Sequence, residues 1–452
     1  MKQLSLGILS TLLLANSAFS STLGKEVQDS SLVVYNGNVG LVHEKRSLHV
    51  KSNDTTIVYE GVASTIETDS VNIKLTDSIQ LYSQQYRFDK LTQQKLLNAH
   101  IGKKIEVRIL KNAKDFKIIT ATLLSANSNR CIVRTSNSKI ITVNADDVIF
   151  KTIPQELITK PSLVWNIQTD KDLTTELELD YLIRNISWKS DYILNVSKDS
   201  ANLSGWITVD NRSGKRFEDT TLNVLAGKIN MAKREPVYRD ARYSPVMAVS
   251  AEPVAHVALE GYHFYTIPFK VTLANNEKTQ VKFITKNNIS IEREYKARVS
   301  HPLYLHSQSK HDVTQYINIK GLDLALPKGI VRTYSSLGKQ SILLGQSNLK
   351  HTPKNSPIHL KIGTNFDIKV KETLKERDDS KYRLNSTVEY SVKNSSNEEK
   401  TLKLLIPFNR HKDSKIKTSH PFKYVNGNML LFTLKVPAEG SKKFSVNFIA
   451  KR

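Results

Sequence analysis

Several sets of residues in this chain of 452 amino acids have types and spacings that invite chemistry. Ser136-x-x-Lys139 and Ser336-x-x-Lys339 match a Ser–Lys dyad, in which lysine acts as base toward a serine nucleophile. Such a lysine must be desolvated, and both pairs fall in polar, turn-like sequence, so neither is expected to work that way. His301, His306 and His311 recur every five residues, which fits neither one helix face nor one strand face. Only turns would bring them onto a metal, and surface or satisfied histidines are the expectation. Asp378 and Asp379, beside Glu372, Glu376 and Arg377, offer paired carboxylates or a calcium loop. The glycine of an EF-hand is missing and lysines crowd the segment, so a solvated hairpin tip is expected. No G-x-S-x-G, H-E-x-x-H, Walker loop, G-x-G-x-x-G or Cys/His ligand set occurs, so the sequence implies no catalytic residue, no cofactor and no metal. Aromatics and arginines interleave in one place. Tyr238, Arg239, Arg242 and Tyr243 precede Tyr262, Phe264 and Tyr265, and such residues are favoured anchors at binding surfaces. The first four mark a candidate partner-binding arm, whereas Tyr262 to Phe269 also reads as the start of a strand.

The elements that must carry these residues are strands. Tyr382, Leu384, Val388, Tyr390 and Val392 alternate with polar residues, as do Leu177, Leu179 and Tyr181, and Phe444, Val446 and Phe448. Turn signals punctuate the runs, among them Asn36-Gly37-Asn38, Ser213-Gly214 and Asn426-Gly427-Asn428. The fold class predicted is all-β, as tandem β-sandwich domains that are immunoglobulin-like at the C-terminus, where the usual cysteine pair is lacking. One short helix is expected in the N-terminal domain, from a cap at Asp89 to His100, with Gly102 just past its end. The predicted organisation is a signal peptide at 1–20, an N-terminal β-rich domain at 21–160 and a central sandwich at 161–357. The central sandwich carries a long insertion at 228–262, and a C-terminal sandwich follows at 358–452. No internal repeat of fixed period is evident.

Composition narrows the setting. Lys2, the apolar run Leu4 to Leu14 and the small-x-small site Ala18-Phe19-Ser20 are laid out as a secretory signal peptide cleaved after Ser20. A periplasmic or secreted protein without a membrane span is therefore expected. The formal charge of +23 favours anionic partners, but the lysines are spread along the chain rather than gathered in one run. The single cysteine, Cys131, excludes an intramolecular disulfide and lies in an apolar strand pattern, as a buried inert thiol would.

The richest block runs from Leu177 to Gly227. Tyr181-Leu182, Ser187-Trp188-Lys189, Asp191-Tyr192, Gly205-Trp206, Asn211, Ser213-Gly214, Phe217 and Leu225-Ala226-Gly227 occur in order. A second block holds Leu326-Pro327-Lys328-Gly329, Val331-Arg332, Gly345, His351-Thr352-Pro353, Gly363 and Phe366-Asp367. Together they resemble the bacterial family called domain of unknown function 4139, and Val34-Tyr35-Asn36-Gly37 with Leu97 to Val107 look like its longer members. The resemblance implies an exported, β-rich protein and carries over no catalytic residues. Some relatives bear the name mucoidy inhibitor A, which records a phenotype, and many have a coiled-coil insertion that this chain lacks. Read physically, the tryptophans and the Ser-Gly turn need only packing and a sandwich corner. The expected function is a non-enzymatic envelope-associated binding or structural module. Its partner would be an envelope protein or an anionic envelope polymer, with no nucleic acid. The alternative is an envelope hydrolase of glycans or peptides whose residues converge from separate strands.

Overall fold

Alternation of apolar and polar residues becomes strand almost throughout the computed structural model, which describes residues 23–110, 115–127, 129–154, 157–227, 263–409 and 414–451. The protein is all-β, and the α-helix among the described residues is Gln93–Ala99. That helix is shorter than the sequence predicts. Thr92, not Asp89, is its cap, accepting the Lys95 N–H, while Asp89 binds the Lys95 ammonium and the Ile158 N–H instead. Gly102 closes it at φ 83°, as expected. Helix and adjacent strands enclose a small core that contains Leu97, Val107, Leu123 and Cys131. Cys131 is fully buried there and burial raises its thiol pKa, so it is inert.

Strand pairing reveals a duplication. In the first unit, Leu23–Tyr35 pairs antiparallel with Val39–Val50, which pairs with Leu173–Arg184. The chain continues through Ile186–Val196 to Ser200–Asn211, and the latter pairs with Glu277–Ser290. Phe217–Ala226 pairs antiparallel with His263–Leu273 and parallel with the opening strand, Ser31 opposite Thr221. The second unit repeats each step. Glu292–Arg298 pairs with Gln308–Ile319, which pairs with Ile358–Asp379. That strand pairs in turn with Arg383–Asn394, and Arg383–Asn394 pairs with Ser441–Lys451. Lys400–Pro407 pairs antiparallel with Met429–Val436 and parallel with the opening strand Glu292–Arg298.

The units differ in one long strand. In the first it breaks at Asn185, with φ 60°, and splits the unit between a six-stranded and a five-stranded sheet. In the second it runs unbroken, and a nine-stranded sheet curls until the rings of Phe432 and Phe444 lie 5.1 Å apart. Pairing therefore runs across residues 160 and 357, because each unit is interrupted after its second strand. The interruption in the second unit contains Gly329–Leu337, which lies parallel to Ile186–Val196 of the first and joins the two.

A buried asparagine closes the corner of each unit. Asn211 Nδ2 donates to the carbonyls of Lys215, Leu273 and Ala274 at 2.8, 3.3 and 3.1 Å. Its Oδ1 accepts the N–H and hydroxyl of Ser213 at 3.2 and 2.7 Å. Asn394 Nδ2 reaches Glu398, Val436 and Pro437 carbonyls at 2.8, 3.3 and 2.9 Å. Its Oδ1 accepts from Ser396 at 3.0 and 2.8 Å. Each amide satisfies carbonyls that leave the ladders where the chain crosses between layers. We predict that Asn211→Ala and Asn394→Ala each destabilise the protein by about 2–3 kcal/mol, and Ser213→Ala by about 1 kcal/mol, in urea unfolding.

Candidate functional site

Most residues whose spacing invited chemistry are not brought together. Ser136, Lys139, Ser336 and Lys339 are all exposed, Ser336 near the end of strand Gly329–Leu337 and the others at turns, so neither lysine is desolvated. His301 stacks near Tyr304 and Phe408, with ring centroids 4.9 and 6.2 Å away, while His311 turns to Glu372 at 2.7 Å. No metal-ligand cluster occurs among the described residues. Asp378 and Asp379 are exposed, as a solvated tip requires. Glu372 departs from that expectation. It is fully buried because it falls in phase with Ile368 and Val370, which face the core. Burial raises its carboxyl, but bonds from His311 and the Ser300 N–H outweigh this and hold it below the usual range. Tyr238, Arg239, Arg242 and Tyr243 lie outside the described residues. Tyr265 is buried in strand His263–Leu273, so that part of the aromatic cluster is core.

A charged cluster that the sequence did not announce lies beneath the first unit. Glu44 and Arg46 occupy core-facing positions of Val39–Val50, in phase with Val42 and Leu48. The Ser213-Gly214 turn delivers Lys215 to them. Gly214 has φ 81°, and a Cβ there would stand 1.8 Å from Ser64 Oγ, so only glycine fits. Lys215 Nζ meets Glu44 Oε1 at 2.5 Å and the Gly61 carbonyl at 2.7 Å. Arg46 reaches Glu44 Oε2 at 3.2 Å and packs 3.9 Å above the ring of Tyr59, whose hydroxyl donates to the same oxygen at 2.7 Å. Burial would raise the Glu44 carboxyl, but Lys215 and Arg46 more than offset it, so its pKa lies below the ordinary range. A cleft of about 800 Å³ opens on Glu44 and Lys215. Both oxygens of the carboxylate already hold donors, which makes the cluster a strut pinning the corner to the sheet.

A second arrangement lies on the outer face of the five-stranded sheet. Along Ile186–Val196 the residues alternate: Ile186, Trp188, Tyr192 and Leu194 face inward, and Ser187, Lys189 and Asp191 face outward. Trp206 stands directly opposite Asp191 on the same outer face, partly exposed. The two tryptophans of the block thus part company. Trp188 packs in the core, as its sequence context implies, and its indole N–H has no protein acceptor there. Trp206 serves neither core, and Lys282 Nζ stands 6.0 Å from its ring. Asp191 accepts from Arg332 at 3.0 Å and meets Lys189 at 3.2 Å, with 10% of its side chain exposed. Burial raises its carboxyl, but those two cations lower it further. The result is a face with an aromatic plate, one held carboxylate and three cations.

The two sequence blocks meet here. Tyr192 hydroxyl donates to the Pro327 carbonyl at 2.7 Å and Ser190 hydroxyl to that of Lys328 at 2.8 Å. Gly329 approaches so closely that a Cβ would lie 2.4 Å from the Ser190 carbonyl oxygen. These contacts set the register that puts Arg332 beside Asp191.

A family model described as Domain of unknown function (DUF4139) matches residues 177–451, more than half of the chain. No curated protein matches it. The matched span begins at the strand that leads into this face and includes every residue of it.

We predict that Lys215→Met destabilises the protein by about 3–5 kcal/mol, because it strips a buried carboxylate of its nearest cation. The Glu44 carboxylate, with its depressed pKa, stabilises the fold fully above its unfolded value of about 4.3 and loses that effect as pH falls through the folded value. The difference in melting temperature between the parent protein and Glu44→Gln therefore narrows on acidification below about pH 4.

Proposed function

The chain belongs to the family Domain of unknown function (DUF4139), and from that premise we propose that it is an exported, non-enzymatic protein of the cell envelope that acts as a binding module. Its contact surface is the outer face of the five-stranded sheet. The observation that carries this reading is Trp206, an indole directed away from both cores, with Lys282 on one side and on the other Asp191, itself held by Arg332. Core packing explains none of these outward positions. An aromatic plate beside fixed hydrogen-bonding groups suits a ring-containing polar ligand, with the rings stacked on the indole and the hydroxyls meeting the charged pair. A glycan strand of the envelope has that chemistry. The layout of residues 1–20 supports export. Among the described residues no helix is long and apolar enough to cross a membrane.

The hydrolase alternative rests on the Glu44–Lys215 cleft. It is the weaker reading, since Glu44 is held by Lys215, Arg46 and Tyr59, and the two cations that keep its carboxyl below the ordinary range make it a weak base.

Two measurements test the binding reading and export. Trp206→Ala lowers affinity for immobilised envelope glycan about thirtyfold, near 2 kcal/mol, with little change in melting temperature. Unchanged retention by that variant overturns the assignment of the face. Intact mass of protein recovered from the exported fraction begins at Ser21, and a full-length mass there contradicts export by cleavage.

A further inference from the structure

The duplicated units differ in how they use the outer face shared by their second and third strands. In the first unit the charges alternate in sign across that face. Lys45 meets Glu176 at 2.6 Å, Lys74 meets Glu178 at 3.0 Å and His43 meets Asp180 at 2.7 Å. In the second unit the same face carries lysines opposite lysines. Lys310 is the direct cross-strand neighbour of Lys371, and Lys369 of Lys393. Lys371 is followed across the sheet by Ser391 and then Lys443. All five lysines lie on the outer face, while Ile368, Val370, Val392 and Phe444 between them face the core. Acids in reach are few. Asp312 meets Lys369 at 3.3 Å, and Glu389, one step along the strand, is held by Lys375 at 3.1 Å. Lys310, Lys371, Lys393 and Lys443 have no ion-pair partner among the described residues.

Like charges directly opposite on neighbouring strands destabilise a sheet. The first unit demonstrates that this topology accepts the opposite arrangement, so the scaffold does not demand the lysines. Spreading lysines to blunt an edge does not account for them either, because Ile358–Asp379 and Arg383–Asn394 are interior strands of the nine-stranded sheet. We infer that this face is a docking site for a linear polyanion, a polymer bearing carboxylate or phosphate groups that lies across the strands. The row from Lys310 to Lys443 spans four strands, roughly 14 Å at a strand spacing of about 4.8 Å, and the second row runs beside it. The exposed aromatic Phe366 stands at the border of the face, 5.4 Å from Lys369 Nζ. Two parallel rows of lysines running across the strands match the regularly spaced charges of an extended chain.

The lysine face belongs to a different sheet from the Trp206 face and takes a different ligand, so it goes beyond the glycan-binding reading. The test is binding of the full chain to polygalacturonate as a function of salt. Uncharged dextran and phosphatidylglycerol vesicles serve as the other arms. The double variant Lys371→Glu with Lys393→Glu should lose at least about tenfold in affinity for polygalacturonate, equivalent to 1.4 kcal/mol, and show a shallower salt dependence. Its urea midpoint should be unchanged or raised, since the repulsion is relieved. Lys371→Gln with Lys393→Gln should lose less. Trp206→Ala should bind polygalacturonate as the parent protein does, which separates failure of this inference from failure of the glycan-binding reading. Equal binding and equal salt dependence in parent and double variant overturn it. So does retention on phosphatidylglycerol vesicles without retention of polygalacturonate.

Discussion

Each unit depends on one constraint: the chain must cross from one layer to the other without leaving carbonyls unsatisfied in the core. A single asparagine amide meets it, at Asn211 and again at Asn394, by gathering carbonyls from its own turn and from the hairpin opposite. The residue four positions beyond that asparagine differs between the units and separates their roles. In the first unit it is Lys215, which turns inward and locks onto buried Glu44. In the second it is Glu398, which turns outward and meets Lys400 at 2.8 Å and Lys198 of the first unit at 3.1 Å. One corner is pinned to its own core, and the other carries an exposed ion pair to the first unit.

Strand content, the buried cysteine and the presence of the helix were legible because each rests on local pattern. The duplication was not. Its copies share pairing order and the Asn-x-Ser corner, but insertions of different length at 51–172 and 320–357 abolish any fixed period. Glu44 and Arg46 were legible only in retrospect, since two charged residues in phase with Val42 and Leu48 contradict the usual rule that core positions are apolar. The Lys215 that makes them tolerable lies far away in sequence. Glu372 shows the same effect: it belongs by phase to Ile368 and Val370, although its neighbours in sequence are charged and solvated.

The candidate face was hidden in plain view. Trp188 and Trp206 look alike in sequence, where packing accounts for both. Register separates them, because Trp188 pairs opposite Val209 in the core and Trp206 opposite Asp191 outside it. Side chains that alternate across a strand divide a block of sequence into one set that builds the fold and another that the fold does not need. The outward set here includes Lys189, Asp191, Trp206 and Arg332, brought into register by the second block through Pro327 and Gly329. The candidate arm at Tyr238 to Tyr243 lies outside the described residues and contributes nothing to this reading.

Hydroxyl-radical footprinting of the intact protein, with and without soluble envelope glycan, tests the central assignment most directly, because it reads both tryptophans at once. The account predicts that bound glycan shields the Trp206 indole from oxidation and leaves the already buried Trp188 unchanged. Oxidation of Trp206 at the same rate in bound and free protein would contradict it.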